Sequence, residues 1–264
     1  MRRVFETFIF AVAVFSVLLL SPVPSFATPI SGQLGIGGSS ADVAAVFLDF
    51  LCNPTITASC PSNYGNFLVT TPSTGSFAPY ATDSGFIQSL NETSEPVNTT
   101  FSLPNFLIFN PAGTVTPPEI ALDLSFIFLG TQGQAQCLAA PAAGQNCTPA
   151  IPSLVSPSNP LGLSPFNLQN TPTGSEANFS VAGTARNLAT GETSSFTGVI
   201  SAEFNVPYQN YLPTIASGGS ITNAYSATFT ATTVPEPQTT ALVLGGLLVL
   251  LGRVGMRRFN RSRQ

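Results

Sequence analysis

A two-residue period in apolar side chains runs through the middle of this chain and restricts it to half-buried strands. Phe196, Gly198, Ile200, Ala202 and Phe204 alternate with Thr197, Val199, Ser201 and Glu203. Tyr225, Ala227 and Phe229 alternate with Ser226, Thr228 and Thr230, and Ile120, Leu122, Leu124, Phe126 and Phe128 with Ala121, Asp123 and Ser125. Successive strand side chains point to opposite faces, so such stretches belong to antiparallel sheets with one wet face. The clearest unit is a hairpin: a strand over 178–186, a turn over 187–192 containing Gly191, and a returning strand over 193–205. Arg186 and Glu192 flank that turn and are expected to pair across it, at the surface value of under ~1 kcal/mol. The run over 41–51 fits either a short helix or a buried strand.

The body between 28 and 229 is therefore expected to be an all-β, antiparallel, sandwich-like domain, long enough for one sizeable core. Residues 137–165, with Pro141, Pro149, Pro152, Pro157 and Pro160, read as a linker between a sheet region over 28–136 and another over 166–234. The two are expected to pack within one sandwich. Residues 230–240 form a Thr- and Pro-rich stalk.

Composition removes most catalytic chemistry. Of 264 residues, 44% are apolar and 8% charged; His and Trp are absent, and all eight basic residues are Arg. Without histidine there is no Ser-His-Asp or Cys-His catalysis and no His-bearing metal site; without lysine there is no Schiff base or P-loop clamp. No cofactor and no metal ligands are assigned. Between Thr28 and Val234 the only base is Arg186, against ten acids. A body so poor in cations cannot neutralise phosphates, so nucleic acid is not an expected partner. Carboxylate pairs remain the one open catalytic class, with Asp42/Asp49 and Asp83/Glu92/Glu95 as candidates by type. Solvated strand faces are the simpler account of these acids, and the expectation is a protein that is not an enzyme.

The four cysteines fall into two local pairs, Cys52/Cys60 and Cys137/Cys147. In an exported chain such pairs favour disulfides, and nearest-neighbour pairing is the simplest of three connectivities. Neither pair has the short spacing that structural zinc sites prefer.

Both ends carry targeting patterns. Residues 1–27 combine Arg2 and Arg3, an apolar run from about Phe8 to Leu20, and Ser25-Phe26-Ala27, which reads as a signal peptide cut between Ala27 and Thr28 by signal peptidase. Near the other end, an uninterrupted apolar run over 241–252 gives ~18 Å of helix against a hydrocarbon layer of ~30 Å. With Arg253 snorkelling, 241–256 reads as a short transmembrane helix. Arg253, Arg257, Arg258, Arg261 and Arg263, most of them in the basic tail over 257–264, would hold that end in the cytoplasm.

The order Pro235-Glu236-Pro237, apolar span with Gly245 and Gly246, then arginine cluster resembles the PEP-CTERM sorting signal of Gram-negative bacteria and cyanobacteria. The resemblance implies recognition of Pro235, Glu236 and Pro237 by an exosortase, a membrane-embedded cysteine transpeptidase that removes the tail. Two prolines keep this segment extended beside the span, so it presents an accessible peptide with one carboxylate. The body, over 163–173, 184–198 and 225–230, is similar to secreted cyanobacterial-type PEP-CTERM proteins, which supports an all-β fold and names no ligand. The resulting expectation is an exported cell-surface or extracellular-matrix protein with a structural or interaction role, exopolysaccharide being one conceivable partner. The alternative is a secreted carbohydrate-binding or carboxylate-dependent hydrolytic module, with or without calcium.

Overall fold

The computed structural model describes residues 29–109 and 120–233. The expected signal segment with Ala27 and Thr28, the expected sorting motif Pro235–Pro237, the expected 241–256 span and the arginine cluster lie outside the described residues. The described residues form thirteen strands: β1 (Gly32–Gly37), β2 (Ser40–Val43), β3 (Phe47–Phe50), β4 (Tyr64–Ser73), β5 (Ser84–Gln88), β6 (Leu90–Asn91), β7 (Leu103–Phe109), β8 (Ile120–Ile127), β9 (Asn146–Cys147), β10 (Asn167–Asn170), β11 (Ser175–Asn187), β12 (Thr193–Phe204) and β13 (Ile221–Thr232). Between the last two comes a five-residue helix, α1 (Leu212–Ala216). No helix among the described residues is long and apolar enough to cross a membrane.

Eight strands close on themselves. Around the ring the order is β1, β4, β5, β7, β8, β11, β12, β13 and back to β1, every pair antiparallel. The expected sandwich is therefore a barrel, and the two sheet regions on either side of 137–165 belong to one ring. Closure removes the free edges that a sandwich must protect. The run over 41–51 is neither a helix nor one strand but the β2–β3 hairpin, turned at Ala44, whose amide donates to Phe47 O at 3.0 Å.

Side chains fill the barrel. Leu34, Phe67, Ile87, Phe106, Leu122, Val181, Phe196 and Phe229 are all fully buried. Three of the four phenylalanines lie directly across the ladder from a glycine: Phe67 from Gly85, Phe196 from Gly183 and Phe229 from Gly198. Each ring occupies the space that a Cβ on its glycine partner would need; at Gly183 that atom would fall 2.7 and 2.8 Å from the Phe196 ring. A barrel of eight strands is just wide enough for its own side chains, so large residues must face small ones. Phe229 meets Phe196 and Phe106 edge-on, with centroids 5.8 and 6.4 Å apart, a favourable arrangement of ring quadrupoles.

The outward alternation places Thr197, Val199 and Ser201 of β12 beside Thr230, Thr228 and Ser226 of β13, a row that is polar apart from the exposed Val199. Along β8 the pattern breaks. Ser125 is an extra residue between Leu124, opposite Gly183, and Phe126, opposite Ala182. Because side-chain direction has period two, this bulge reverses the facing of everything after it. Ile127 points into the core, while Phe126 and Phe128, expected inside with Leu122, stack edge-on outside, Phe128 being 40% exposed.

The expected Arg186–Glu192 pair does not form. Arg186 instead grips Asp123 with two hydrogen bonds, Nε to Oδ2 at 2.9 Å and a terminal nitrogen to Oδ1 at 3.0 Å, and reaches Asn105 Oδ1. Asp123 lies opposite Thr184, diagonal to Arg186 on the adjacent strand and within reach of a long side chain. Glu192, past the strand end, accepts from Thr190 Oγ1. Asn187 organises this turn by accepting from the Ala189 and Thr190 amides.

Candidate functional site

The two poles of the barrel differ. At the pole where Gly32 pairs with Ala231, a 3-10 turn over Gly75–Tyr80 plugs the opening with Phe77, which is fully buried. The described chain begins and ends there. At the other pole, β11, β12 and β13 continue past the ring, and β11 and β13 acquire new partners. Residues 175–178 of β11 leave β8 and pair with β10, which pairs with β9. Residues 221–224 of β13 leave β1 and pair with β2, followed by β3 and β6. The switch to β2 follows the end of β1, where Gly38 adopts a φ of 85° and turns the chain away.

Two flaps thus stand on a shared back wall, and between them lies a cleft of about 910 Å³. Its wall is the inward face of the overhanging strands: Ala177 and Phe179 of β11, Ile200, Ala202 and Phe204 of β12, and Ile221 and Tyr225 of β13. Phe50 and Phe166 line the two flaps, and Leu212 and Ile215 of α1 come from the β12–β13 connection.

Hydrogen bonds hold these walls in place. The Tyr208 amide donates to Asn170 Oδ1 at 3.1 Å and its hydroxyl to Gln136 O at 3.0 Å. Gln209 Nε2 donates to Gln145 Oε1 at 2.8 Å, and Asn170 Nδ2 to Gln209 Oε1 at 2.9 Å. The connection is thereby tied to the loop closed by the Cys137–Cys147 disulfide, whose Cα atoms lie 5.1 Å apart. Cys52–Cys60, with Cα atoms 5.8 Å apart, closes a loop on the opposite flap. Asn66 anchors that loop: it is fully buried, accepts from the Asn53 amide, and donates to Asn53 O and Thr57 Oγ1. Tyr225 donates its hydroxyl to Asn66 O at 3.2 Å, and burial pushes this phenol well above its ordinary pKa.

The acids singled out by type are spread over the body. Asp42 and Asp49 are directly opposed on β2 and β3, yet each is engaged by a neighbour: Thr222 Oγ1 donates to Asp42, and Ser89 Oγ to Asp49 at 2.6 Å. Glu92 and Glu95 lie by a small hollow beneath β3. Glu95 is buried and accepts from the Asn91 amide at 2.8 Å, while burial raises the Glu92 carboxyl above its usual range. Asp83 lies apart from them, before β5, where its carbonyl accepts from the Val69 amide. Among the described residues no group of three or more His, Cys, Asp or Glu side chains is disposed to hold a metal ion. The cleft includes one carboxylate, Glu176, directly opposite Glu203 in the ladder.

The cleft-wall residues Tyr208, Leu212 and Ile215 had no periodic signal to mark them. The usable signal was strand length: β11 and β12 run 13 and 12 residues, against 7 and 8 for β7 and β8. Strands that outrun their neighbours must overhang, and apolar inward positions on the overhang need a cover or a guest.

Fold and site together define a closed antiparallel β-barrel with a covered cleft at one pole. No protein-family profile matches the chain, and neither a curated protein nor a solved structure matches it.

Proposed function

We propose that this is an exported, exosortase-processed protein of the cell surface or extracellular matrix, which acts by binding and not by catalysis. The tail carries the proposal: Pro235-Glu236-Pro237, an apolar span and an arginine cluster follow one another in the order of a PEP-CTERM signal, behind a chain that opens with a signal-peptide pattern. Two disulfides in the folded body are compatible with an oxidising compartment. Polarity adds to this. With both described ends at one pole, a tether following Thr233 would hold the barrel by its plugged end and turn the cleft outward. The outer face of β12 and β13 offers rows of Ser and Thr hydroxyls, such as Thr197 beside Thr230, which suit hydrogen bonding to a polyhydroxylated matrix polymer.

Fractionating wild-type cells beside an exosortase-deficient strain tests the sorting step. The expected result is relocation of the protein to the membrane in the deficient strain, and an intact mass in the wild type that lacks Arg257 to Gln264. Identical distribution and a retained tail would sink the proposal. The alternative, a secreted carbohydrate-binding or carboxylate-dependent hydrolytic module, draws on the same hydroxyl rows as sugar contacts; glycan-array binding would favour it, and calcium-dependent melting would favour its calcium-dependent form.

A further inference from the structure

We propose that the cleft at the unplugged pole of the barrel is a binding site for one uncharged, largely apolar small molecule. Its volume of about 910 Å³ lies within the ~300–1,000 Å³ of small-ligand sites. The surface is aromatic and aliphatic, with Phe50, Phe166, Phe204, Ile215 and Ile221 on different elements facing one space. Burying such area from water is the driving force for occupancy.

The charge pattern selects the ligand class. Among the described residues the one cation is Arg186, and it is held by Asp123 on the outer face of the barrel, away from the cleft. A carboxylate, sulfate or phosphate headgroup would therefore find no counter-charge, and would meet Glu176. Glu176 itself alternates with the inward-facing Ser175 and Ala177, which sets it at the rim and not on the apolar floor. Polar selection is weak as well. The hydroxyls of Tyr208 and Tyr225 donate to backbone carbonyls, and the Gln209 amide is engaged by Gln145 and Asn170. Groups already bonded within the protein do not reward a ligand for carrying matching donors. Gln134, Ser153 and Ser201 are the neutral lining side chains left open among the described residues, so a few hydrogen bonds can orient a ligand while shape and apolar area carry its affinity.

Access is built in. Leu138 stands on the rim at 94% exposure, so the approach to the cleft is apolar where a surface would ordinarily be polar. The site does not depend on the sorting proposal: it needs only the folded barrel.

Photolabelling tests it. The full-length chain in lipid nanodiscs is irradiated with an uncharged trifluoromethyl-phenyl-diazirine, and adducts are mapped by peptide mass spectrometry. Saturable labelling is expected on peptides containing Phe204, Leu212 and Ile215. Uncharged phenyl-naphthylamine should compete, and its sulfonated analogue about tenfold less well or worse, equivalent to ~1.4 kcal/mol. Ala202→Phe, which fills the wall, should cut labelling of the 208–216 peptide about tenfold. Ile215→Gln, on the exposed α1, should weaken labelling at Phe204 without changing thermal unfolding. Equal competition by the sulfonate would make this a site for anionic amphiphiles and overturn the proposal. Labelling that no compound displaces, or that collects on Val155 and Leu161 outside the cleft, would mean adhesion to exposed apolar side chains and would overturn it too.

Discussion

Gly198→Ala separates two physical effects of opposite sign. Glycine in a strand interior ordinarily costs about 0.5–1 kcal/mol relative to alanine, so propensity alone predicts a more stable protein. Packing predicts the reverse. A Cβ at position 198 would fall 2.7 Å from Phe229 Cε1, closer still to Cδ1, and 3.2 Å from Val181 Cγ2. Phe229 is fully buried and meets the Phe106 and Phe196 rings, so it has no open side to retreat to. Overpacking a full core costs about 1–3 kcal/mol, which outweighs the propensity gain. For a body of this size the net loss of roughly 0–2.5 kcal/mol corresponds to a Tm lower by as much as about 10 °C. Urea unfolding followed by circular dichroism gives the difference directly. Gly133→Ala is the control: nothing lies within 4 Å of its added atom, and it should be neutral or gain about 0.4–1 kcal/mol. Combining Gly198→Ala with Phe229→Leu should cost less than the sum of the single changes, because they share one volume. A Gly198→Ala protein more stable than the parent, or strict additivity, would refute the account of phenylalanine seated over glycine.

Three further outcomes follow from named contacts. Burial pushes the Asp123 carboxyl up, but the Arg186 hydrogen bond, the Asn105 amide and the Arg186 charge outweigh it and hold it below the ordinary value. A depressed carboxylate stabilises the fold above its unfolded pKa of ~3.9 and loses that contribution as pH falls through the folded value. The stability gap between parent and Asp123→Asn should therefore be constant from neutral pH to about 5, and shrink in more acid solution. With the partners 26% and 31% exposed, solvent screening keeps the gap to about 1 kcal/mol or less; a gap that widens in acid would contradict the assignment. Replacing Cys52 and Cys60 together by Ala should cost on the order of 2–3 kcal/mol from the closed-loop length, read as a lower urea midpoint; an unchanged midpoint would show the loop to be held by Asn66 alone. Ser194 Oγ is buried without a hydrogen-bond partner among the described residues, so Ser194→Ala should raise stability by up to about 1 kcal/mol, and a loss by calorimetry would mean that the hydroxyl has a role.

Much of the body is legible from its residues because alternation is a local property. The β11–β12 hairpin, with its Asn187 turn, and the inward faces of β12 and β13 follow from polarity at period two, and the two disulfides from short spacing in the chain. What alternation cannot report is an inserted residue. Nothing in Leu124-Ser125-Phe126 marks the bulge, which shows only in the ladder, where consecutive Gly183 and Ala182 face Leu124 and Phe126 and leave Ser125 between them. The ion pair went the same way: Glu192 is the near acid along the chain, and Asp123 is the near acid in space.

From the amino-acid order alone came the strand content, the hairpin, the cysteine pairing favoured by proximity and the scarcity of cations. Tertiary structure alone decided that the sheet closes into a barrel, that β11 and β13 outrun it and exchange partners, and that a cleft opens between the flaps. The physical reason is range. Side-chain facing and short-loop closure depend on a few neighbouring residues, whereas ring closure and a cavity depend on which distant strands share a ladder, and no local pattern encodes that choice.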